Sequence, residues 1–480
     1  MGSTDSLNLD NIQGDILGDG LPKLSETFLF FTINDPRSFC QRLNQVSNEI
    51  ASTTHVKDLR SGIANNAGGG IVPAVGANIA FSCHGLQKVT CSQASDLNTQ
   101  DPAFDAGMKA GAASLADPLR SGSSDPAWED VYLHPENVHG VILAAGSDDG
   151  ICSQKLQTIM SIFGPSAGEV HRVSGKVRPG EMKGHEHFGY MDGVSQPAVQ
   201  GIDTATPGQD IVSHGTFICG RNGDRFASQR PAWMIDGSFL CFRKLQQNVQ
   251  DWNKFLVDAS NQLGTWSDQL GSRLVGRWKS GCPIQLSPDF DDRNLAADPN
   301  RVNKFDFDSI SNDFRCPMGA HIRKTNPRGD LGRATVNQFR ILRRGIPYGN
   351  EVDADPTGER GLLFVCYQSN ISQGFKFIQE TWANQAVFAS EGAGVDAIMG
   401  QSNSQKTINM RGLYPQDASR PLALSGINRF VVPKGGEYFF SPSMSALKTT
   451  LSTVREHGCT HQVGNHRSKA TVPSITCHTQ

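Results

Sequence analysis

The feature that most constrains the fold of this chain is a repeat, because its two halves show the same order of hydrophobic patterns. In the first half, the aromatic and β-branched run at 28–33 (FLFFTI) predicts a strand, and a helical pattern begins at Pro36. In the second half, the run at 239–242 (FLCF) is followed by a similar helical pattern through Trp252 and Leu256. A chain that repeats its elements in this way is expected to fold into two similar units.

Each half continues with further strands and a second helix. Single strands are predicted at 78–83 and 339–343, and strand–helix pairs begin at 138–145 and 361–367 and end near Ile162 and Trp382. Last strands are predicted at 169–173 and 437–440. This is the order of a split βαβ, ferredoxin-like unit, so the predicted class is α+β, with antiparallel sheets and peripheral helices. The Gly-, Asp- and Pro-rich stretch at 201–223 predicts a boundary between domains 1–205 and 206–480.

Composition narrows the classes of function. The chain has 480 residues and a net charge of −3, so neither nucleic acid nor an anionic membrane is an expected partner. No apolar run reaches the roughly 18 residues of a membrane span. The 11 Cys are scattered and show no C-x-x-C spacing, which favours small buried side chains over a disulfide framework or a zinc site.

The first segment suited to chemistry is GYMDG at 189–193. Gly189 and Gly193 flank Asp192, and glycines permit both a tight backbone path and the close approach of a flat ligand. The carboxylate can then point into a cavity. The simpler interpretation is an ordinary turn with a capping Asp.

The second segment surrounds His321. Arg323 and Arg328 follow this His by two and seven residues, and Arg binds carboxylates in a bidentate manner. The segment therefore suits a ligand that needs one imidazole and carries carboxylates. Because the chain has 13 His, any single one is more often a solvated or core residue.

The third segment is the run FRILRRG at 339–345. Alternation along a strand places Ile341 and Arg343 on one face and Leu342 and Arg344 on the other. One Arg must then face inward, where it needs an anionic partner or ligand. A solvated Arg run on an edge strand is the alternative.

Together these segments resemble the dye-decolorizing peroxidases, especially the fungal members. The GxxDG motif, the His in an H-x-R-K-x-N-P-R context and the RILRRG strand occur in the expected order, and the opening NIQGDIL at 11–17 is similar to the start of that family. The resemblance spans most of the chain, from about residue 8 to about residue 445. It implies a peroxidase with one haem b per chain, mainly in the C-terminal half. Such an enzyme uses hydrogen peroxide to oxidise bulky aromatic dyes and phenolic or lignin-like compounds.

The resemblance also implies roles for single residues. It makes His321 the axial ligand of the haem iron, Asp396 the carboxylate that holds this His, and Asp192 and Arg343 the pair that handles peroxide. A carboxylate can take and return a proton if it stays ionised, and a nearby Arg favours that state. The other implied roles are the apolar cover of the distal haem face by Leu362 and Phe364, haem contacts by Gly189, Gly193, Arg323 and Arg328, and surface electron transfer by Tyr348 and Trp382.

Two other interpretations stay open. His185 and His187 share one strand face with His171 nearby, which suits a non-haem zinc or iron enzyme. A non-catalytic haem-binding protein would keep His321 but would have no need for Asp192 together with Arg343.

The reductant and the compartment are less constrained. Glu351, Asp353 and Asp355 alternate beside Tyr348 and suit Mn(II), although a solvated acidic loop gives the same pattern. Residues 1–5 show no basic and apolar regions of a signal peptide. The resemblance favours an extracellular location, and a cytoplasmic one stays open. The His-containing tail beyond about residue 450 has no functional interpretation.

Overall fold

The computed structural model describes residues 6–66, 70–307, 313–402, 406–413, 423–427 and 429–453. In chain order the strands are β1 (Ser25–Ile33), β2 (Val75–Phe81), β3 (Gly140–Gly146), β4 (Ala167–Lys176), β5 (Ala198–Val199), β6 (Ile211–Val212), β7 (Ser238–Gln247), β8 (Leu342–Arg343), β9 (Ile346–Tyr348), β10 (Gly361–Gln368), β11 (Lys406–Asn409), β12 (Ala423–Ile427) and β13 (Val431–Ser441). The α-helices are α1 (Pro36–Val46), α2 (Thr53–Ala64), α3 (Cys83–Thr90), α4 (Ala94–Leu97), α5 (Pro102–Ala106), α6 (Asp130–Leu133), α7 (Asp149–Phe163), α8 (Val249–Leu263), α9 (Ser267–Val275), α10 (Arg293–Ala297), α11 (His321–Thr325), α12 (Arg333–Val336) and α13 (Phe375–Phe377). A π-helical segment, Ile378–Ala383, extends α13.

The main sheet shows the internal repeat directly. Strands of the first half lie in the order β4-β1-β3-β2, and those of the second half lie in the order β13-β7-β10-β8, with β9 also paired to β10. If the strands are numbered in chain order within each half, they lie side by side in the order fourth, first, third, second, and neighbouring strands are antiparallel. This is the ferredoxin-like arrangement. The predicted α+β class with two such halves is confirmed.

The two halves join edge to edge. Strand β13 of the second half meets β2 of the first at Phe440 and Phe81, and this contact makes one nine-stranded sheet. Within the described residues the sheet does not close into a barrel. Its far ends still approach, because a Cβ on Gly175 of β4 would lie 2.4 Å from Cγ2 of Ile346 on β9.

Local sequence explains the first-half helices. Asp35 caps α1 by accepting from the backbone N–H groups of Arg37 and Ser38, and Pro36 stands at the first helical position. The apolar stripe of α1 packs on α7, where the rings of Phe39 and Phe163 stack with centroids 4.2 Å apart. Both helices thus cover one face of the first-half strands.

Some predicted bounds differ from the structure for local reasons. The strand predicted at 78–83 ends at Phe81, because the Ser82 hydroxyl caps α3 by accepting from the Gly85 N–H. The strand predicted at 339–343 is reduced to Leu342–Arg343, since 337–339 form a 3-10 turn. Eight Cys are buried and free, as the interpretation of the Cys as small buried side chains expects, whereas Cys91 takes part in a disulfide. Among the described residues, no helix is long and apolar enough to cross a membrane.

Candidate active site

One cavity gathers the three sequence segments. It is bounded by the loop after β4, the start of α11, the β8 strand and one face of β10. The predicted site residues that line it are Asp192, Gly193, His321, Arg328, Arg343, Leu362 and Phe364. Residues more than 150 positions apart in the chain therefore share one space, because β8 and β10 are paired and the loop with Asp192 folds over them.

His321 is held by a buried carboxylate. Its Nδ1 lies 2.8 Å from Oδ2 of Asp396, and the other oxygen of Asp396 accepts from the backbone N–H groups of Ile398 and Met399. Burial alone would raise the pKa of Asp396, but His321 and the backbone donors outweigh it and hold that pKa below its ordinary value. With Nδ1 engaged, Nε2 of His321 is the nitrogen left to bind a metal.

Asp192 and Arg343 form an ion pair at the same cavity. One guanidinium nitrogen of Arg343 donates to Oδ1 of Asp192 at 2.7 Å, and another donates to the Ser195 carbonyl at 3.3 Å. Burial would raise the pKa of Asp192, yet Arg343 outweighs it and the pKa lies below its ordinary value. The cavity therefore presents an ionised carboxylate beside a fixed cation.

Gln196 ties the Asp192 loop to the strand that carries Arg343. Its amide nitrogen donates to the Arg343 carbonyl at 2.8 Å, and its amide oxygen accepts from the Arg343 N–H at 3.3 Å. One side chain thus holds both backbone groups of Arg343. No sequence motif pointed to this residue, although Gln196 stands only four positions after Asp192.

The arginines that line the cavity differ from those that the sequence predicts. Arg323 does not line the cavity; it is buried in an ion pair with Asp330, 2.7 Å away, and lies over the Phe307 ring. Arg328 does line the cavity, together with Arg277 and Arg340. The prediction did not allow for the helix: Arg323 lies within α11, where side chains two positions apart point in nearly opposite directions, so Arg323 faces away from the cavity that His321 lines.

Two of the wall arginines were missed by the sequence analysis. Arg277 is buried and donates to the side chain of Asn303 at 2.8 Å, and Arg340 shares Asp210 with Arg333. Arg340 stands three positions before Arg343, so strand alternation would place it on the opposite face; it lines the same cavity because the strand begins only at Leu342. Burial lowers the pKa of Arg340 to about 10, which still leaves it charged at neutral pH.

The two glycines of GYMDG play different parts. Gly193 lines the cavity with a φ of 75°, and a Cβ there would meet open space. Gly189 has a φ of 95° but does not line the cavity, so the structure does not support its predicted contact with the ligand. Its role is the backbone turn that only glycine adopts readily.

The predicted surface positions of Tyr348 and Trp382 were wrong. Trp382 is 3% exposed and packs against Phe339, Phe377 and Phe388, with ring centroids 5.3–5.5 Å away. Tyr348 is 6% exposed, and its hydroxyl donates to Glu359 at 3.0 Å. Exposure depends on neighbours from other segments, which the polar residues after Trp382 do not reveal.

The alternative metal sites are not assembled. In the part of the chain that the structure describes, no three His, Cys, Asp or Glu side chains gather to hold a metal ion. This result removes the basis for the site at His171, His185 and His187, since the buried His187 engages the Tyr348 carbonyl through Nε2.

The acidic run proposed for Mn(II) is not a cluster either. Glu351 is in a bidentate ion pair with Arg178, Asp353 is exposed, and Asp355 accepts from the Gly358 N–H. Glu351, the carboxylate of this run best placed to bind a cation, is already paired with the Arg178 guanidinium.

Two family models match the chain. Residues 11–179 match the model described as the DyP dimeric alpha+beta barrel domain, and residues 188–390 match the model of the Dyp-type peroxidase C-terminal region.

Individual relatives match over nearly the whole length. A dye-decolorizing peroxidase of Mycetinis scorodonius is 42% identical over 94% of this chain and 89% of its own length. One of Auricularia auricula-judae is 41% identical over 93% of this chain and 87% of its own length. Among solved structures, a Phe-to-Tyr mutant of the Pleurotus ostreatus dye-decolorizing peroxidase is 42% identical with a TM-score of 0.85, and the match covers 93% of this chain and 99% of that one.

Proposed function

The chain belongs to the dye-decolorizing peroxidase family, and we propose that its reaction takes place in the cavity shared by His321, Asp192 and Arg343. It is a haem peroxidase that uses hydrogen peroxide to oxidise dyes. The observation that carries the assignment of the site is that two pairs meet at one cavity. One pair is His321 with Asp396, and the other is Asp192 with Arg343.

The side chains of the cavity fit a haem. An imidazole with a free Nε2 suits the iron, and Leu362, Phe364 and Ile341 give apolar walls for a flat ring. Three of the arginines that line the cavity, Arg277, Arg328 and Arg340, suit the two propionates, because Arg binds carboxylates strongly. We propose that the chain binds one haem b and that Nε2 of His321 would hold its iron. Once bound, the iron supplies the redox chemistry with peroxide.

The chain's own contribution is proton handling. Asp192 is ionised, so its carboxylate can accept a proton from peroxide and return it to the oxygen that leaves as water. Arg343 stabilises the negative charge that develops on this oxygen. On the other face, Asp396 accepts the Nδ1–H of His321 and increases the electron donation of the imidazole.

The walls exclude large substrates from the inner cavity. Leu362 and Phe364 lie two residues apart on β10 and both face the cavity, so bulk water and bulky dyes are kept away from this space. Dyes, phenols and lignin-like compounds must then deliver electrons through the protein. We propose Tyr348 and Trp382 as relays that lie beneath the surface.

The location of the enzyme is also a proposal. Secretion is supported by the resemblance to fungal members of the family. Mn(II) oxidation is not included, because the structure pairs Glu351 with Arg178.

The test of the proposed function is an absorption spectrum of the purified protein with haem. We expect a strong Soret band at one haem per chain, a change of this band when peroxide is added, and bleaching of an anthraquinone dye that requires peroxide. A protein that binds zinc stoichiometrically and shows no Soret band would refute it. A Soret band that does not respond to peroxide would indicate haem binding without catalysis.

A further inference from the structure

Trp128 makes a hydrogen bond that the proposed function does not use. Its indole N–H donates to Oδ2 of Asp117 at 2.9 Å. Both residues are 2% exposed. The N–H of a buried Trp usually has a hydrogen-bond partner. A buried carboxylate is an unusual partner, because desolvation makes its charged form unfavourable.

Asp117 connects this indole to the wall of the cavity. The same oxygen, Oδ2, accepts from the guanidinium of Arg243, which lies on β7 and lines the cavity. Arg243 also lies 5.9 Å from the ring centroid of Phe375, another residue of the cavity wall. A continuous path of contacts therefore runs from the cavity through Arg243 and Asp117 to Trp128.

Other tryptophans lack this combination. Trp278 donates its N–H to the carbonyl of Ser287, which cannot take up a proton. Trp252 is fully buried, and its Nε1 has no partner within the described residues. The bond of Trp128 to a carboxylate is thus a specific feature of this position and does not follow from burial alone.

We propose that Trp128 is a redox-active residue that passes electrons to the haem, with Asp117 as the acceptor of its indole proton. The inference rests on the proposed function, since the oxidant is the haem after its reaction with peroxide. Trp128 gives one electron to that oxidant. The N–H bond breaks, an O–H bond forms on Asp117, and a neutral indole radical and a neutral carboxyl result.

The return step restores both residues. A phenol or dye at the surface gives one electron to the radical, the proton returns from Asp117 to the indole nitrogen, and the phenol releases its own proton to water. Burial raises the pKa of Asp117 above its ordinary value despite Arg243, and this makes the carboxylate a better proton acceptor.

The position of Trp128 suits an exit for electrons. Residues 117–128 form a hairpin closed by the bridge between Leu119 and Pro126, and Trp128 stands at its base. The tip of the hairpin, residues 120–124, is exposed. A radical at Trp128 would therefore lie between the cavity and a solvent-facing loop.

The experiment is freeze-quench electron paramagnetic resonance of the haem-loaded protein after peroxide. It uses the Trp382→Phe variant, which removes the other proposed indole, with ring-deuterated Trp to separate Trp radicals from Tyr radicals. We expect a signal that narrows on deuteration, disappears in Trp128→Phe and persists in the matched control Trp252→Phe. A deuteration-sensitive signal that survives Trp128→Phe, or no such signal in the parent variant, would overturn the proposal.

If Trp128→Phe does not load haem, a second variant still tests the proposal. Asp117→Asn retains an oxygen that accepts the indole N–H but cannot take its proton. The radical should then keep its N–H and gain a hyperfine coupling that disappears in D2O, and an unchanged spectrum would exclude Asp117 as the acceptor. Failure of the proposed function looks different, because the Soret band would then not respond to peroxide in any variant.

Discussion

At the scale of single residues, ion pairs and hydrogen bonds keep two carboxylates of the site ionised. Asp192 and Asp396 are both carboxylates that burial would protonate, and in each the largest opposing contribution comes from one side chain. This side chain is Arg343 for Asp192 and His321 for Asp396, where backbone N–H groups add to it. Because each charge depends mainly on one side chain, single substitutions should have specific effects.

His321→Ala should abolish stable haem binding, since Nε2 of His321 is the proposed iron ligand. The measurement is the ratio of Soret absorbance to protein after purification with added haem. His55→Ala, on the exposed side of α2, serves as the control and should keep full haem. Full haem with an unchanged spectrum in His321→Ala would assign the ligand to another His.

Arg343→Leu should slow the reaction with peroxide and change its pH dependence. Loss of one group that handles the proton or its charge typically costs about two to four orders of magnitude in rate. Without the cation the pKa of Asp192 rises, so the carboxylate is protonated at higher pH and the acid limb of the rate profile moves to higher pH. Stopped-flow rates across pH check both effects. Arg172→Leu, which removes a surface partner of Glu169, should change neither.

Trp382 can be tested as a relay apart from its packing role. Trp382→Ser should lower the unfolding temperature, because truncation of a buried aromatic costs about 3–5 kcal/mol. Trp382→Phe keeps most of the ring contacts with Phe339 and Phe388 but removes the oxidisable indole. If Trp382 is a relay, the Phe variant loses turnover of bulky dyes while its peroxide reaction stays normal. Dye turnover at the wild-type level in this variant would make Trp382 a packing residue.

At the scale of elements, the site depends on how loops are fixed to β8. Arg344 points away from the cavity and donates to the carbonyls of Asp15 and Gly18 at 2.9 and 2.6 Å. The N-terminal segment that contains NIQGDIL is therefore bound to the strand that carries Arg343. Gln196 fixes the opposite side of the same strand to the Asp192 loop.

Gln196→Leu should slow the peroxide reaction without loss of haem. The leucine removes both bonds to the Arg343 backbone, so the contact between Arg343 and Asp192 loosens and the acid limb should shift in the same direction as in Arg343→Leu, by a smaller amount. Rate profiles across pH and the haem content give the readout. Gln200→Leu, at an exposed position, is the control. A wild-type pH profile in Gln196→Leu would show that the strand holds Arg343 unaided.

At the scale of the whole molecule, one sheet joins the two halves and buries polar groups between them. Glu437 lies on β13, the strand that meets both β2 and β7, and accepts from the backbone N–H groups of Met108 and Tyr438. Burial raises the pKa of Glu437 from 4.5 to about 7. The boundary at 201–223 stays a prediction.

Glu437→Gln should make stability less dependent on pH. The folded protein holds a proton that the unfolded chain releases above pH 4.5, so the free energy of unfolding falls as the pH rises from 4.5 to about 7. A shift of this size corresponds to about 3 kcal/mol. Glu26, with a pKa raised to about 7, adds a slope of the same sign, so the variant removes only part of the total. Unfolding temperatures at pH 5 and 7 measure it, with exposed Glu391→Gln as the control. An unchanged slope would refute the role of Glu437.

The sequence by itself determined the repeat, the strands that build the sheet and the residue types of the site. The apolar runs at 28–33 and 239–242 became β1 and β7, because strand formation follows from local alternation and β-branched or aromatic side chains. The three motifs pointed to His321, Asp192 and Arg343, and the structure places all three at one cavity.

Only the tertiary structure decided which neighbours of these residues share the site. In the folded protein Arg323 forms a buried ion pair with Asp330, and Trp382 is buried with its ring stacked on Phe388. Arg277 and Arg340 line the cavity instead of Arg323. Each of these outcomes depends on partners far away in the sequence, such as Asn303 for Arg277 and Asp210 for Arg340. The direction and exposure of a side chain are set by what packs against it, and local pattern carries no information about that.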